Sequence, residues 1–539
     1  MKRFIVLLVM SVLVVGCATQ TAAPTNVPAA APSPTPSPTT QDAAAPTPAG
    51  GLWIQPGVPV DLAEAARAAF SDVPEVDAEA ESTVRITLNP TDSPVAAERI
   101  FALVGPFATV RDELTWQAFT TYWQTGSGLD EAPTLVMTPA TADMLIALLG
   151  PTGSAPVQLV EPAALTGTLW DFRPALGVVP FDQLEPAQKA LTVDGVSLLE
   201  PDADLSGYPL RVTVGASGPG VEGLAWAPTN RDPARISSVV LTGTTAIARA
   251  TAMQVELNGV GFPAAQIAPF FAGVDILHTS NESSYAVDCP PPDWYGEPKF
   301  CSQRAYFEVL TTTGVDIVEK TGNHIADYGR SSLVYTLDVY DNNAMIYYGG
   351  GRSLSVARAP RILTSGDGTR VAFVGCNSAG PFPVWATDQS AGAAPCDDWS
   401  AITQTIAELK ESEQADVIIA TLQYLELASY TPSEQQDADF ARLTAAGADI
   451  VSGSQAHQPQ GFAFDSGGFI HYGIGNLFFD QMDFIENRQM FADKHILYEG
   501  RHIGTVLFTG LMEDWAQPRP MTPEERADFL QLIFEASGW

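Results

Sequence analysis

Apolar runs of strand length alternate along this chain with stretches whose apolar positions recur at helical spacing. Between residues 51 and 230, Val84–Leu88, Ile100–Val104 and Thr134–Met137 predict strands, while Asp61–Phe70, Val110–Tyr122 and Ala140–Leu149 predict helices. That alternation predicts an α/β region. From about Arg235 to Trp539 the pattern becomes a repeat of helix, Gly-x-Asp turn, apolar strand and polar cluster. It runs from Asp275 into Asn281-Glu282, from Asp316 into Asn323-His324, and from Asp449 into Gln455-Ala-His457. A looser copy runs from Asp416 into Gln423 and Glu426. Glu282, Asn323 and Gln423 each stand seven residues past their turn aspartate, and His324 and His457 stand eight past theirs. In α/β sheets, ligands bind beyond the carboxyl ends of the strands. A lone strand-end histidine is more often a hydrogen-bonded loop residue, but five such residues in one register predict a shared polar site. The Glu513–Glu525 stretch and the Phe529–Phe534 helix predict a C-terminal cap packing its apolar face.

Composition narrows the function. The 539 residues carry 62 acidic against 27 basic side chains, a net charge of -35, which excludes a general nucleic-acid binder. Lys2 and Arg3 precede an apolar run, Phe4 to Val15, that is too short to cross the ~30 Å hydrocarbon core and predicts a secretory signal over residues 1–17. Residues 18–50, dominated by Pro, Ala and Thr, predict an unfolded tether. Two globular regions follow, 51–230 and 235–539. Outside the cytoplasm, Cys289, Cys301, Cys376 and Cys396 favour disulfides, paired 289–301 and 376–396 by their short turn-rich loops; a four-thiolate zinc site is the alternative, but no CxxC pair is present.

Three resemblances add to this. Val14-Val15-Gly16-Cys17 resembles a bacterial lipobox, which implies lipidation at Cys17 and attachment to a bacterial membrane; an ordinary signal peptide is the alternative. Leu176 to Leu184, Lys189 to Gly195 and Tyr208-Pro-Leu210 resemble the second lobe of type II periplasmic solute-binding proteins. That implies an α/β solute-binding-like domain, either a working receptor or a structural module. Thr321-Gly-Asn-His-Ile-Ala-Asp-Tyr-Gly329, Asn281-Glu282, Gly453-Ser-Gln-Ala-His457 and Tyr472 to Asp480 resemble, in order and spacing, motifs of the CapA family of capsule and poly-γ-glutamate biosynthesis proteins. The match spans about residues 236–515. It implies a calcineurin-like metallophosphatase α/β sandwich, two mixed sheets face to face with helices outside.

The chain departs from the family where metal chemistry would sit. Thr244 replaces the aspartate after the opening strand, Gln423 replaces a histidine, Glu426 comes one residue early, and Gln455 replaces another histidine. The resemblance leaves Glu282, Asn323, His324 and His457 as metal ligands, with His324 and His457 as the catalytic pair. Gln423, Glu426, Gln455 and Asn476 would contact ligand, and Asp327 would orient its own turn or His324. Amide oxygens suit hard cations, so the set implies a single Mn, Mg or Ca ion or an empty polar cleft. Two functions stay open. One is a surface lipoprotein acting on an anionic exopolymer or with its assembly machinery, as a metal-dependent hydrolase. The other is a non-catalytic binding lipoprotein whose pocket has been rebuilt.

Overall fold

The computed structural model describes residues 50–539 except Asp398; the signal segment, Cys17 and the tether through Ala49 lie outside the described residues. In the second region, the parallel strands Ile236–Thr245, Ile276–Asn281 and Ile317–Glu319 form the centre of a mixed sheet. Ile346–Tyr348 extends it on one side, and the antiparallel strands Gln489–Tyr498, Arg501–Glu513 and Gln517–Pro520 extend it on the other. A second sheet has Arg370–Asn377, Val417–Gln423, Ile450–Ser452 and Gly468–His471 in parallel, with antiparallel edges Arg361–Thr364 and Phe462–Asp465.

The turn aspartates of the repeat explain why its register holds. Asp275 accepts the Ser238 N–H, Asp316 that of Leu277, Asp416 that of Arg370 and Asp449 that of Ile418, each at 2.8 Å. Each carboxylate therefore fastens the start of its own strand to the start of the neighbouring one. A charge-assisted bond of this kind contributes about 1.5–3 kcal/mol. It also sets where the strand ends, and so where the polar cluster emerges.

Val239, Leu241, Ile276 and Ile317 of the first sheet pack against Val371, Phe373, Val417, Ile419 and Ile450 of the second in one buried cluster. The alternate residues face outward. Val240, Leu277 and Val318 meet the helices Arg249–Asn258, Phe307–Thr313 and Arg330–Asn342. Ile418, Ala420 and Val451 meet Ser400–Glu411 and Glu434–Ala445. Strands buried on both faces read as unbroken apolar runs, which is the pattern seen in the sequence. The result is a mixed α/β sandwich with helices outside. Both disulfides, Cys289–Cys301 and Cys376–Cys396, are formed. Among the described residues no helix is long and apolar enough to cross a membrane.

Residues 51–217 build a separate eight-stranded mixed sheet flanked by Val60–Ala69, Trp116–Thr125 and Pro139–Leu149. The helix predicted from Val110 starts only at Trp116. Thr115 caps it, accepting from the Ala118 N–H, and Glu113–Leu114 pair instead with Thr192–Val193. This sheet is not independent of the sandwich, since residues 50–539 form one compact unit. Phe107, only 2% exposed, sets its ring edge-on to Phe462, Phe464, Phe469, Phe534 and Trp539 at 5.4–6.2 Å. Nearby, Arg526 and Lys189 both bond Asp112 at 2.7 Å. Burial pushes that carboxyl up, but the two cations overcome it and hold it at about 2. Phe107→Ala is therefore expected to cost about 3–5 kcal/mol, as for other buried aromatic truncations. Urea unfolding followed by tryptophan fluorescence should show one transition at a lower midpoint; two separated transitions would contradict this coupling.

Candidate active site

The strand ends bring most of the predicted residues to one edge of the sandwich. Glu282 is fully buried, and neither of its carboxylate oxygens has a hydrogen-bond partner. His457 Nε2 stands 4.0 Å from Glu282 Oε1 and 3.4 Å from Glu426 Oε1. Glu426 is half exposed, at the mouth. Gly322 makes room for this approach: a Cβ there would lie 2.5 Å from Glu282 Cβ and 3.3 Å from Gln455 Nε2.

Both histidines have their tautomers set from behind. His457 Nδ1 bonds Asn476 Oδ1 at 2.7 Å. Asn476 spends its amide protons on Gln481 Oε1 and the Asn487 carbonyl, so its oxygen must accept. Nδ1 of His457 therefore carries a proton, and Nε2 is the nitrogen that faces the carboxylates. His324 Nδ1 bonds Asp327 Oδ2 at 2.7 Å, and the same oxygen takes the Phe300 N–H at 2.8 Å. The Phe300 ring lies 4.1 Å from His324, and the Cys289–Cys301 disulfide anchors the chain next to it. Asp327 thus orients His324. Burial lowers the His324 pKa, but the Asp327 hydrogen bond and the Glu282 and Glu426 charges outweigh it and leave it raised. Burial raises Glu282, and His457 and His324 offset that only in part.

Asn323 Oδ1, Gln423 Oε1, both amide atoms of Gln455 and Thr244 Oγ1 are also buried without partners. Native proteins leave few such groups, each at a cost of ~1–3 kcal/mol, so their concentration at one strand edge marks a place built to receive something. Among the described residues, no three His, Cys, Asp or Glu side chains already stand as a metal cage. The fit of a cation rests on the mixed set: two imidazole nitrogens, two carboxylates and the amide oxygens. That donor chemistry suits one Mn²⁺, Mg²⁺ or Ca²⁺.

His278 lies elsewhere, buried between the sheets, stacked on Phe373 and bonded to the Tyr348 hydroxyl at 2.9 Å. Glu319 and Lys320 are additional. Both are fully buried at a strand end beside the site, and sequence reasoning passed over them. Their signal was present: four residues past the turn aspartate, where Lys320 stands, the other copies carry Thr279, Ala420 and Gly453.

Residues 238–481 match the family model described as "Bacterial capsule synthesis protein PGA_cap". The capsule biosynthesis protein CapA of Bacillus anthracis is 25% identical over 217 residues, covering 40% of this chain and 52% of the relative. The PGA biosynthesis protein CapA of Bacillus subtilis is 26% identical over 174 residues, covering 32% and 45%. The chain thus spans about half the length of the curated relatives it matches. Among solved structures, the Haemophilus influenzae NAD nucleotidase is similar at a TM-score of 0.32 and 10% identity, covering 55% of each chain. A Vibrio cholerae ABC-type phosphate transport receptor is similar at 0.26 and 11%, covering 32% of this chain and 88% of that one. The region that carries Glu282, Asn323, His324, Gln423, Gln455 and His457 is thus a PGA_cap/CapA family domain.

Proposed function

We propose that this protein is an extracytoplasmic component of capsule or poly-γ-glutamate-type exopolymer biosynthesis, whose sandwich site holds one divalent cation and hydrolyses a bond in the polymer or its precursor. The observation that carries the reading is Glu282, a buried carboxylate with both oxygens unpartnered, faced by His457 Nε2. Glu282, Asn323, His324 and His457 would hold the ion, with Gln423, Glu426, Gln455 and Asn476 around the substrate. When bound, such an ion supplies a Lewis acid and an activated water. The chain's own groups do the rest. Asn476 fixes the His457 tautomer and Asp327 fixes that of His324, so each ring keeps Nε2 free for the site. Two disulfides support a location outside the cytoplasm, and lipidation of Cys17 would attach the chain to the membrane.

The second reading, a ligand-binding lipoprotein without turnover, is favoured by Thr244, Gln423 and Gln455, whose unpartnered atoms would hydrogen-bond a polar ligand. Elemental mass spectrometry after incubation with Mn²⁺, Mg²⁺, Ca²⁺ or Zn²⁺ and desalting separates the two. The hydrolase reading expects about one retained equivalent, lost in a His324→Ala/His457→Ala double variant. No retained ion, together with no hydrolysis in phosphatase and peptidase screens, would leave the binding reading.

A further inference from the structure

Glu319 and Lys320 are adjacent, opposite in charge and fully buried. As strand neighbours they leave the backbone on opposite faces. Lys320 Nζ donates to the carbonyls of Asn281 and Ser283, both at 2.7 Å, and so grips the chain on either side of Glu282. Its own N–H is tied to the Tyr348 carbonyl at 2.9 Å. Glu319 turns toward the space between the sheets. One of its oxygens accepts from Thr321 Oγ1 and the other from Ser454 Oγ. Thr321 opens the segment that carries Asn323 and His324, and Ser454 precedes Gln455. The Ser454 carbonyl in turn accepts from Ser280 Oγ at 2.7 Å.

Taking two charges out of water costs several kcal/mol each, and well-packed apolar residues at such positions are often as stable. These two are not spent on one another. Each is directed at a segment that bears a site residue. We infer that Glu319 and Lys320 are the positioning pair of this site, Lys320 holding the backbone of Glu282 and Glu319 locking the His324 and His457 segments together across the two sheets. The consequence for cation binding rests on the reading proposed above; the positioning itself does not.

The test compares the full chain with Lys320→Met and Glu319→Gln by hydrogen–deuterium exchange and by Mn²⁺ titration calorimetry. Lys320→Met should speed exchange at residues 281–284, and Glu319→Gln at residues 453–457, each by about tenfold or more, with Ile236–Thr245 and Val417–Gln423 as protected as in the wild type. Both should weaken Mn²⁺ binding by about 10–100-fold, as the loss of groups that orient ligands does. Should Lys320→Met fail to fold, the uncharged isostere Glu319→Gln decides alone. Unchanged exchange in these segments, or exchange raised equally through the central strands, overturns the inference. Segment-specific exchange in a wild type that binds no Mn²⁺ upholds the positioning pair and removes the cation reading.

Discussion

Between pH 6.5 and pH 4 the folded state is expected to lose about 3 kcal/mol through His502, with His495 acting in the same direction. The two imidazoles sit on the paired strands Gln489–Tyr498 and Arg501–Glu513, with His495 Nδ1 3.3 Å from His502 Nε2. Both lie 3.0 Å from Thr505 Oγ1, and the Phe469 ring stands edge-on to each. Burial holds His502 down to about 4. Burial pushes His495 well below its ordinary value too, and the neighbouring His502 and His471 push it further. The sign follows directly. An unfolded chain takes up protons on these histidines as pH falls through 6.5, whereas in the native state His502 refuses its proton until near 4 and His495 is held well below its ordinary value, so stability is full above that window and falls within it. Urea midpoints at pH 7.5 and pH 4.5 should differ strongly in the wild type. A His495→Gln/His502→Gln double variant should show a much flatter dependence. An equal slope in both would assign the acid sensitivity to carboxylates instead.

The parts of the fold that were legible in the sequence are those whose cause is local. The turn aspartates recur because each has the same task, gripping the N–H of an adjacent strand, and counting from them therefore located Glu282, Asn323, His324, Gln423 and His457. The two disulfides close short loops and were legible for the same reason. What escaped depends on partners distant in the chain. Phe107 reads as one more apolar residue until residues 462–539 surround it. Residues 110–115 satisfy a helical pattern, and only pairing with Thr192–Val193 pulls Glu113–Leu114 into a strand. The polarity of His457 cannot be read from its own neighbours in sequence, because Asn476, nineteen residues on, fixes which nitrogen carries the proton. Glu319 and Lys320 look like an exposed charged strand end until the second sheet closes over Glu319 and the Asn281 and Ser283 carbonyls take up the Lys320 ammonium. Local chemistry thus set where the strands end, and long-range packing decided what their ends do.

The same physics sets an opposition between stability and binding at Glu282. In the cation-free protein this carboxylate is desolvated, its oxygens are unpartnered, and burial raises its pKa, so at neutral pH its ionised form works against folding. Glu282→Leu, which removes the charge and keeps the volume, is expected to stabilise the cation-free protein by about 1–4 kcal/mol, the range seen when buried ionic groups give way to packed apolar ones. Acid should shrink that advantage, because protonating a carboxyl with a raised pKa removes the same penalty from the wild type. Added Mn²⁺ should reverse the order. At 100 times its dissociation constant an ion that binds only the folded state contributes about 2.7 kcal/mol, and the variant, lacking the central carboxylate, should gain none of it. Thermal melts of wild type and variant, with and without Mn²⁺, read all four corners of this cycle. A cation-free variant that melts below the wild type would mean that Glu282 is satisfied within the protein, and the case for a cation at this site would fall with it.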